Sequence, residues 1–309
     1  MKKVKLGTRR SALALWQANH IADRLRKAHP GLEVELVKIV TQGDQRTDVP
    51  LSQVGGKGLF VKEIEEALLR NEIDFAVHSL KDVPGVLPQG LIITCTPQRE
   101  DARDAFLGRE GKKLKDLKPG AVVGTSSLRR VAQLKQQRPD LQIVAVRGNV
   151  DTRIRRMQGG DFDAIILAYS GLKRLGLNEH VTDVIDAGVM LPAVGQGCLA
   201  IESREADAAT RALLAPLHHA DSFDCITAER GFLIEAEGSC QIPLAAHATV
   251  AGDELTVTGL FAAPDGTKIV KGIEAGPRAQ ADAIGRKLAA KLLADGGREI
   301  LDACRPAKP

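Results

Sequence analysis

The sequence predicts an α/β protein of two similar lobes with mainly parallel sheets, followed by a separate α+β domain. Up to about residue 217, short apolar runs rich in β-branched residues alternate with segments of helical periodicity, the pattern of parallel strands joined by crossover helices. Two strand-to-helix passages are written twice. Leu6-Gly7-Thr8 with Ser11 is echoed by Val123-Gly124-Thr125 with Ser126 and Ser127, and Asp74-Phe75-Ala76-Val77-His78-Ser79-Leu80-Lys81 by the run from Ile166 to Ser170 and then Leu172-Lys173. Beyond Ser222 the plan changes to a long helix, three strand-like runs and a closing helix.

In the first block, residues 4–7 read as a strand and 12–28 as a helix with Leu13, Trp16, Ile21 and Leu25 on its apolar face, stopped by Pro30-Gly31. Residues 33–40 form a β-branched strand, and a polar loop leads to Gly55-Gly56-Lys57-Gly58. A helix over 60–70 and a strand over 75–78 follow, the strand ending in Ser79-Leu80-Lys81-Asp82-Val83-Pro84. Residues 91–96 make another strand, and 97–103 cross to the second block. There, strands at 121–123, 142–146 and 164–168 alternate with helices ending at Gln137 and at Gly159-Gly160. Leu191-Pro192-Ala193-Val194-Gly195-Gln196-Gly197 is the second crossing. Lobe 1 is thus 1–97 with 198–217, lobe 2 is 103–192, and the third domain is 221–309. Two crossings make a hinged cleft, a usual place for a ligand. In the third domain a helix over 222–236 precedes strands at 246–251, 254–261 and 268–273, with turns at Gly252-Asp253 and Asp265-Gly266, and a helix over 278–294.

The balance of 44% hydrophobic and 27% charged residues is that of a soluble globular chain, and 309 residues suggest two or three domains. Five cysteines (95, 198, 225, 240 and 304), odd in number and without a CxxC pair, argue against a disulfide framework or structural zinc and for reduced thiols. The first residues lack a continuous apolar signal region and no window approaches a membrane span, so the expected location is the cytoplasm.

Charge is uneven. Residues 124–156 hold eight Lys/Arg against Asp140 and Asp151, a local +6 in a chain of net +4. A polyanion is the natural partner. A nucleic-acid binder would interleave aromatics for stacking, and this stretch contains none. Both Gly-Thr elements lie where a strand meets a helix N-terminus, a site that favours anions, or else simply caps the helix. Arg147, Arg153 and Arg156 flank another such turn, and arginine's planar fork suits carboxylate or phosphate. There is no Walker loop, since Lys57 is followed by Gly58, and Gly195-Gln196-Gly197 lacks a third glycine, so nucleotide binding has no motif. Asp82 follows a buried strand, where α/β proteins place their chemistry, though a salt-bridged turn residue is the commoner case. His78 reads as packing, and His218-His219 has no partners at metal spacing. Cys240 lies on a Gly/Ser/Pro loop, whereas the other four cysteines read as packing.

Seven blocks in order resemble the porphobilinogen deaminase (hydroxymethylbilane synthase) family. They are Thr8-Arg9-Arg10-Ser11-x-Leu13-Ala14, Gly55-Gly56-Lys57-Gly58-Leu59-Phe60, Val77-His78-Ser79-Leu80-Lys81-Asp82-Val83-Pro84, Gly124-Thr125-Ser126-Ser127-Leu128-Arg129-Arg130, Arg147-Gly148-Asn149-Val150-x-Thr152-Arg153, Leu191 to Gly197, and Gly238-Ser239-Cys240-Gln241-Ile242-Pro243. The resemblance implies two lobes like type II periplasmic binding proteins, a third domain carrying a cofactor cysteine, and a monomer in the cytoplasm. It implies that four porphobilinogen units are joined, with loss of ammonia, on a dipyrromethane cofactor attached by thioether to Cys240. Asp82 matches the catalytic carboxylate. Lys81, Ser79, Thr125, Ser127, Arg129, Arg130 and Arg153 match cofactor-binding residues. Arg9, Ser11, Arg147, Ser126, Lys57, Phe60 and Gln196 match substrate-binding ones. No metal, nucleic acid or membrane is implied. Gln53 stands where the family often has lysine, which leaves Lys57 as the cation of that loop. Ser239 replaces a common glycine.

Overall fold

The structure, a computed structural model, describes residues 3–45, 58–237 and 242–304. In chain order its main elements are β1 (Lys3–Thr8), α1 (Ala12–Ala28), β2 (Glu33–Lys38), α2 (Lys62–Leu69), β3 (Phe75–Ser79), β4 (Leu91–Cys95), β5 (Asp104–Gly108), β6 (Val122–Gly124), α3 (Leu128–Gln137), β7 (Gln142–Val144), α4 (Val150–Gln158), β8 (Ala164–Ala168), α5 (Tyr169–Leu175), β9 (Asp183–Ile185), β10 (Leu199–Arg204), α6 (Ala208–Leu214), α7 (Ala220–Glu235), β11 (Leu244–Ala251), β12 (Glu254–Ala262), β13 (Ile269–Pro277), α8 (Ala281–Leu292) and α9 (Arg298–Cys304).

The first lobe's sheet runs β2-β1-β3-β10-β4 and the second's β7-β6-β8-β5-β9. In each, four strands point one way, and the strand arriving from the other lobe lies antiparallel between the third and fourth. The two lobes thus share one strand order. It makes the two sequence echoes equivalent in space: β1 and β6 occupy the same sheet position, as do β3 and β8.

Helices cover both sheet faces, so the central strands are buried on both sides. Phe75 and Val77 of β3 pack with Val4, Leu6, Ile21 and Leu25, while Ala76 packs with Ile64 and Leu68 of α2. The α1 helix begins at Ala12 because Ser11 caps it, its hydroxyl accepting from Ala14 N at 3.3 Å. Its buried face is Ala14, Gln17, Ala18, Ile21, Ala22 and Leu25. Trp16, expected on that face, is 36% exposed and stacks on His20 instead. In lobe 2, Ala105 and Leu107 of β5 face one cluster and Phe106 the other. The third domain lays α7 and α8 on the antiparallel sheet β11-β12-β13, around Phe232 and Phe261. The last helix region does not run unbroken: a kink at Gly296 (φ +106°) separates α8 from α9.

Both crossings are tied to the third domain by Glu229 of α7. Its fully buried carboxylate accepts from Arg99 Nη1 at 2.5 Å in the first crossing, from Gly195 N at 2.7 Å in the second, and from Ala248 N at 2.8 Å in β11. Burial would raise this carboxyl, but Arg99 and His247 overcome that and hold it at about 2.

Candidate active site

The cleft wall from lobe 1 is built at strand ends. β1 delivers Arg9 and Ser11, and β3 delivers Ser79, followed by the single 3-10 turn Leu80–Asp82. Arg9, Ser11, Gln17, Phe60, Ser79 and Asp82 line one hollow. Each has a local reason for its place. Ser79 Oγ accepts from Gln17 Nε2 at 2.8 Å. Leu80 N donates to Cys198 O at 3.1 Å, and a Cβ on Gly195 (φ +69°) would lie 2.6 Å from Leu80 Cγ. The turn that presents Lys81 and Asp82 therefore rests on the second crossing, and only glycine lets the backbone approach that closely.

Arg9 is not an isolated cation. Its guanidinium donates to Asp44 through Nε at 3.2 Å and Nη2 at 2.5 Å, and lies 4.2 Å from the centre of the Phe60 ring. Asp44 Oδ2 also accepts from Thr41 Oγ1 at 2.9 Å. The carboxylate thus fixes the plane of the guanidinium, leaving an edge at the hollow.

Lobe 2 contributes the passage after β6. Ser126 Oγ donates to Val146 O at 2.7 Å, and Thr125 Oγ1 accepts from Ser127 N at 3.3 Å. Ser127 is the N-cap residue of α3, yet its hydroxyl makes no capping bond. Arg153 Nε donates to Gly148 O at 2.8 Å. Its guanidinium is pushed down to about 10 by burial and by Arg130 and Arg147, and only Asp82, from the opposite lobe, opposes this. Lys81 is pushed down to about 8, chiefly by burial, with Asp82 opposing and Arg130 among the groups that add to it. Lys81 takes part in none of the ion pairs found among the described residues.

Three features qualify the charge of the site. Arg129 and Arg130, matched to cofactor binding, are both buried on Asp104. Arg129 Nη1 donates to Asp104 Oδ2 at 2.8 Å and to Leu191 O at 2.6 Å. Arg130 Nη2 donates to Asp104 Oδ1 at 2.7 Å and its Nη1 to Ile166 O at 2.9 Å. Gln196, matched to substrate, is 1% exposed, and its amide donates to Asp104 Oδ1 at 2.8 Å and Ala102 O at 2.6 Å. The local +6 is also smaller in effect. Arg138, Arg155 and Arg156 pair with Asp140, Asp151 and Asp161, and Lys135 donates to two carbonyls. Lys57, Gln53, Ser239 and Cys240 lie outside the described residues.

What is left is still cationic. Among the described residues, Lys81, Arg129, Arg130 and Arg153 act on one another against Asp82 and Asp104, four cations to two carboxylates. Such an excess at a half-buried site is costly unless an anion joins it. Arg129 Nε is moreover buried with no partner among the described residues.

A family model described as "Porphobilinogen deaminase, dipyromethane cofactor binding domain" matches residues 4–212, and one described as "Porphobilinogen deaminase, C-terminal domain" matches residues 223–294. The chain belongs to the porphobilinogen deaminase family. It is similar to the curated porphobilinogen deaminase of Syntrophotalea carbinolica, 55% identical over 97% of this chain and 95% of that protein. It is similar too to that of Geobacter sulfurreducens, 54% identical over 97% of this chain and 94% of the relative. Among solved structures it is similar to the periplasmic aliphatic sulphonate binding protein SsuA from Escherichia coli, with a TM-score of 0.41 and 16% identity over 77% of this chain and 71% of that one.

The cofactor-binding domain of the family model spans both lobes, and so the whole cation cluster. Sequence reasoning missed Gln17, Asp44 and Asp104. Nothing local distinguishes them, since their partners lie 62, 35 and 25 residues away.

Proposed function

We propose that this porphobilinogen deaminase family member joins four porphobilinogen molecules head to tail, with loss of one ammonia at each step, into linear hydroxymethylbilane. The observation that carries the reading is the crowding of Lys81 and Arg153 with Arg130 around a single cleft carboxylate, Asp82. Each pyrrole bears an acetate and a propionate, so a dipyrromethane brings four carboxylates, and this donor set fits them. When bound, the cofactor supplies the nucleophilic pyrrole carbon on which the chain is extended. Thioether attachment through Cys240 rests on the sequence match over residues 238–243. Helix α7 itself packs on the turn after Asp82: Arg230 Nη2 donates to Pro84 O at 3.0 Å and Gly85 O at 2.8 Å, and a Cβ on Gly85 would lie 3.2 Å from Ile234 Cγ1.

In this reading Arg9, Arg147, Arg153 and Lys81 hold pyrrole carboxylates, with Ser11, Ser79, Ser126, Thr125 and Ser127 adding hydroxyls and Phe60 a ring face. Arg129 and Arg130 act from beneath, raising the local positive potential through Asp104's incomplete compensation. Loss of ammonia from the incoming aminomethyl group leaves a cationic carbon. Asp82 stabilises that charge and takes the proton released when the new carbon–carbon bond forms. We also read the enzyme as a cytoplasmic monomer; the free cysteines Cys95, Cys198, Cys225 and Cys304 suit a reducing compartment. No helix among the described residues is long and apolar enough to cross a membrane.

Purified protein given porphobilinogen is expected to release four ammonia per linear tetrapyrrole formed. Binding of porphobilinogen without ammonia release would reduce the protein to a binding module.

A further inference from the structure

The arginines of the cleft are paired with carboxylates in two different ways. Asp104 is buried together with Arg129 and Arg130, their side chains 0%, 4% and 7% exposed, so these pairs belong to the core. Arg9 and Asp44 are 21% and 23% exposed, and Arg9 lines the hollow with Ser11, Ser79 and Asp82. Breaking a buried pair is strongly destabilising, whereas a pair open to solvent is worth little and its members exchange partners readily.

The run Thr41-Gln42-Gly43-Asp44 builds the open pair, most of it on the single helical turn Gln42–Gln45. Thr41 Oγ1 donates to Asp44 Oδ2 at 2.9 Å, and Gln42 N donates to Glu63 Oε1 at 3.1 Å, which ties the turn to α2. Gly43 N donates to Leu59 O at 2.9 Å, and a Cβ on Gly43 would lie 2.3 Å from two carbons of the Phe60 ring. Phe60 in turn lies over the Arg9 guanidinium at 4.2 Å. These four residues therefore seat a ring on one face of Arg9 and a carboxylate on its Nε and Nη2 edge, at 3.2 and 2.5 Å. Burial works against the Asp44 charge, but Arg9 and Thr41 hold the carboxyl below its ordinary value, so the pair is charged at neutral pH.

A cation meant only to grip pyrrole carboxylates would grip harder without Asp44. The growing chain has a second need. It is fixed at one end and gains one pyrrole per cycle, so the carboxylates in the hollow must give way to those of the next unit. A guanidinium left bare at that moment would retain the departing carboxylate, because the bond between them is charge-assisted and two-pronged. We propose that Asp44 is a positioning residue that acts as the resident counter-anion of Arg9, exchanging with pyrrole carboxylates so that each is released as the chain advances. The inference rests on the condensation reading. While a pyrrole carboxylate is on Arg9, two anions share one guanidinium and each weakens the other's hold. When the pyrrole leaves, Asp44 keeps the cation paired. No covalent bond changes and no proton moves; ground-state affinity is lower and turnover is faster.

The test compares holoenzyme of wild type, Asp44→Asn and Asp44→Glu by steady-state kinetics and by intact mass after limited addition of porphobilinogen. Asparagine keeps the size and an oxygen for Arg9 but removes the charge, whereas glutamate keeps the charge on a longer stem. Asp44→Asn is expected to lower kcat and KM together, each by about tenfold, the mark of a ground state held too tightly. Its partly extended enzyme species are expected to outlast those of wild type. Asp44→Glu is expected to bring both constants back towards wild type. A KM that rises in Asp44→Asn without lasting intermediates would make Asp44 a mere support of Arg9 and overturn the proposal. So would an Asp44→Glu variant that stalls as Asp44→Asn does. Wild type without mass steps would remove the condensation reading and this inference with it; normal wild-type steps beside unaltered Asp44→Asn kinetics would remove this inference alone.

Discussion

Asp82→Asn is expected to lower turnover by ~10²–10⁴-fold while leaving the cofactor mass in place. Asparagine keeps the size of the side chain but can neither take a proton nor balance a cationic carbon. The structure adds a second reason. Asp82 is the carboxylate that offsets the crowding of Lys81 on its own turn and of Arg153 across the cleft. Without it, the cation excess rises and Lys81 is driven further down, towards the neutral amine. In the proposed reading Arg9 and Arg147 hold pyrrole carboxylates without Asp82, so KM is expected to change much less than kcat. Steady-state kinetics beside intact mass checks this. Near-normal kcat would remove Asp82 from proton transfer and place the chemistry elsewhere.

Asp104→Asn is expected to destabilise the protein by about 3–5 kcal/mol, because it leaves two buried guanidiniums without their carboxylate. Asp104 is fully buried, and its oxygens accept from Arg129, Arg130 and Gln196, which belong to α3 and the second crossing. Burial works against the charge, but the two arginines hold the carboxyl well below the ordinary range. The stabilisation is therefore fully present above the usual carboxylate pKa, and is lost as pH falls through the depressed folded-state value. Denaturant unfolding at neutral pH is expected to show the loss, and the gap between wild type and variant is expected to narrow in strong acid. An equal stability at neutral pH would mean that the arginines find other partners.

Much of the scaffold is legible in the sequence because local chemistry marks it. Ser11 before an apolar periodic run and Pro30-Gly31 after it bracket α1, and the Gly252-Asp253 turn separates β11 from β12. The two echoes carried the likeness of the lobes, which the common strand order bears out. What escaped is non-local. β5 begins with Asp104, and a charged residue there reads as loop; it is strand because Arg129 and Arg130, 25 and 26 residues on, neutralise it inside the core. β10 goes unread for a related reason, since Glu202 interrupts its apolar run and is tolerated through His78, 124 residues away. Trp16 has an apolar side chain at helical spacing but finds a partner in His20 on the surface. In the site, residue type located the cations, but only the fold separates Arg153 and Lys81, which form no ion pair with a described carboxylate, from Arg129, Arg130 and Arg9, which do.

The central claim is that a carboxylate-rich chain grows in this cleft from an anchor on Cys240. Intact mass spectrometry of the purified protein tests it most directly. Wild type is expected to exceed its sequence mass by one dipyrromethane and, on limited addition of porphobilinogen, to climb in equal steps of one porphobilinogen less one ammonia. Cys240→Ser is expected to stay at its sequence mass under both conditions. A wild-type protein at its bare sequence mass that still makes hydroxymethylbilane would contradict the account.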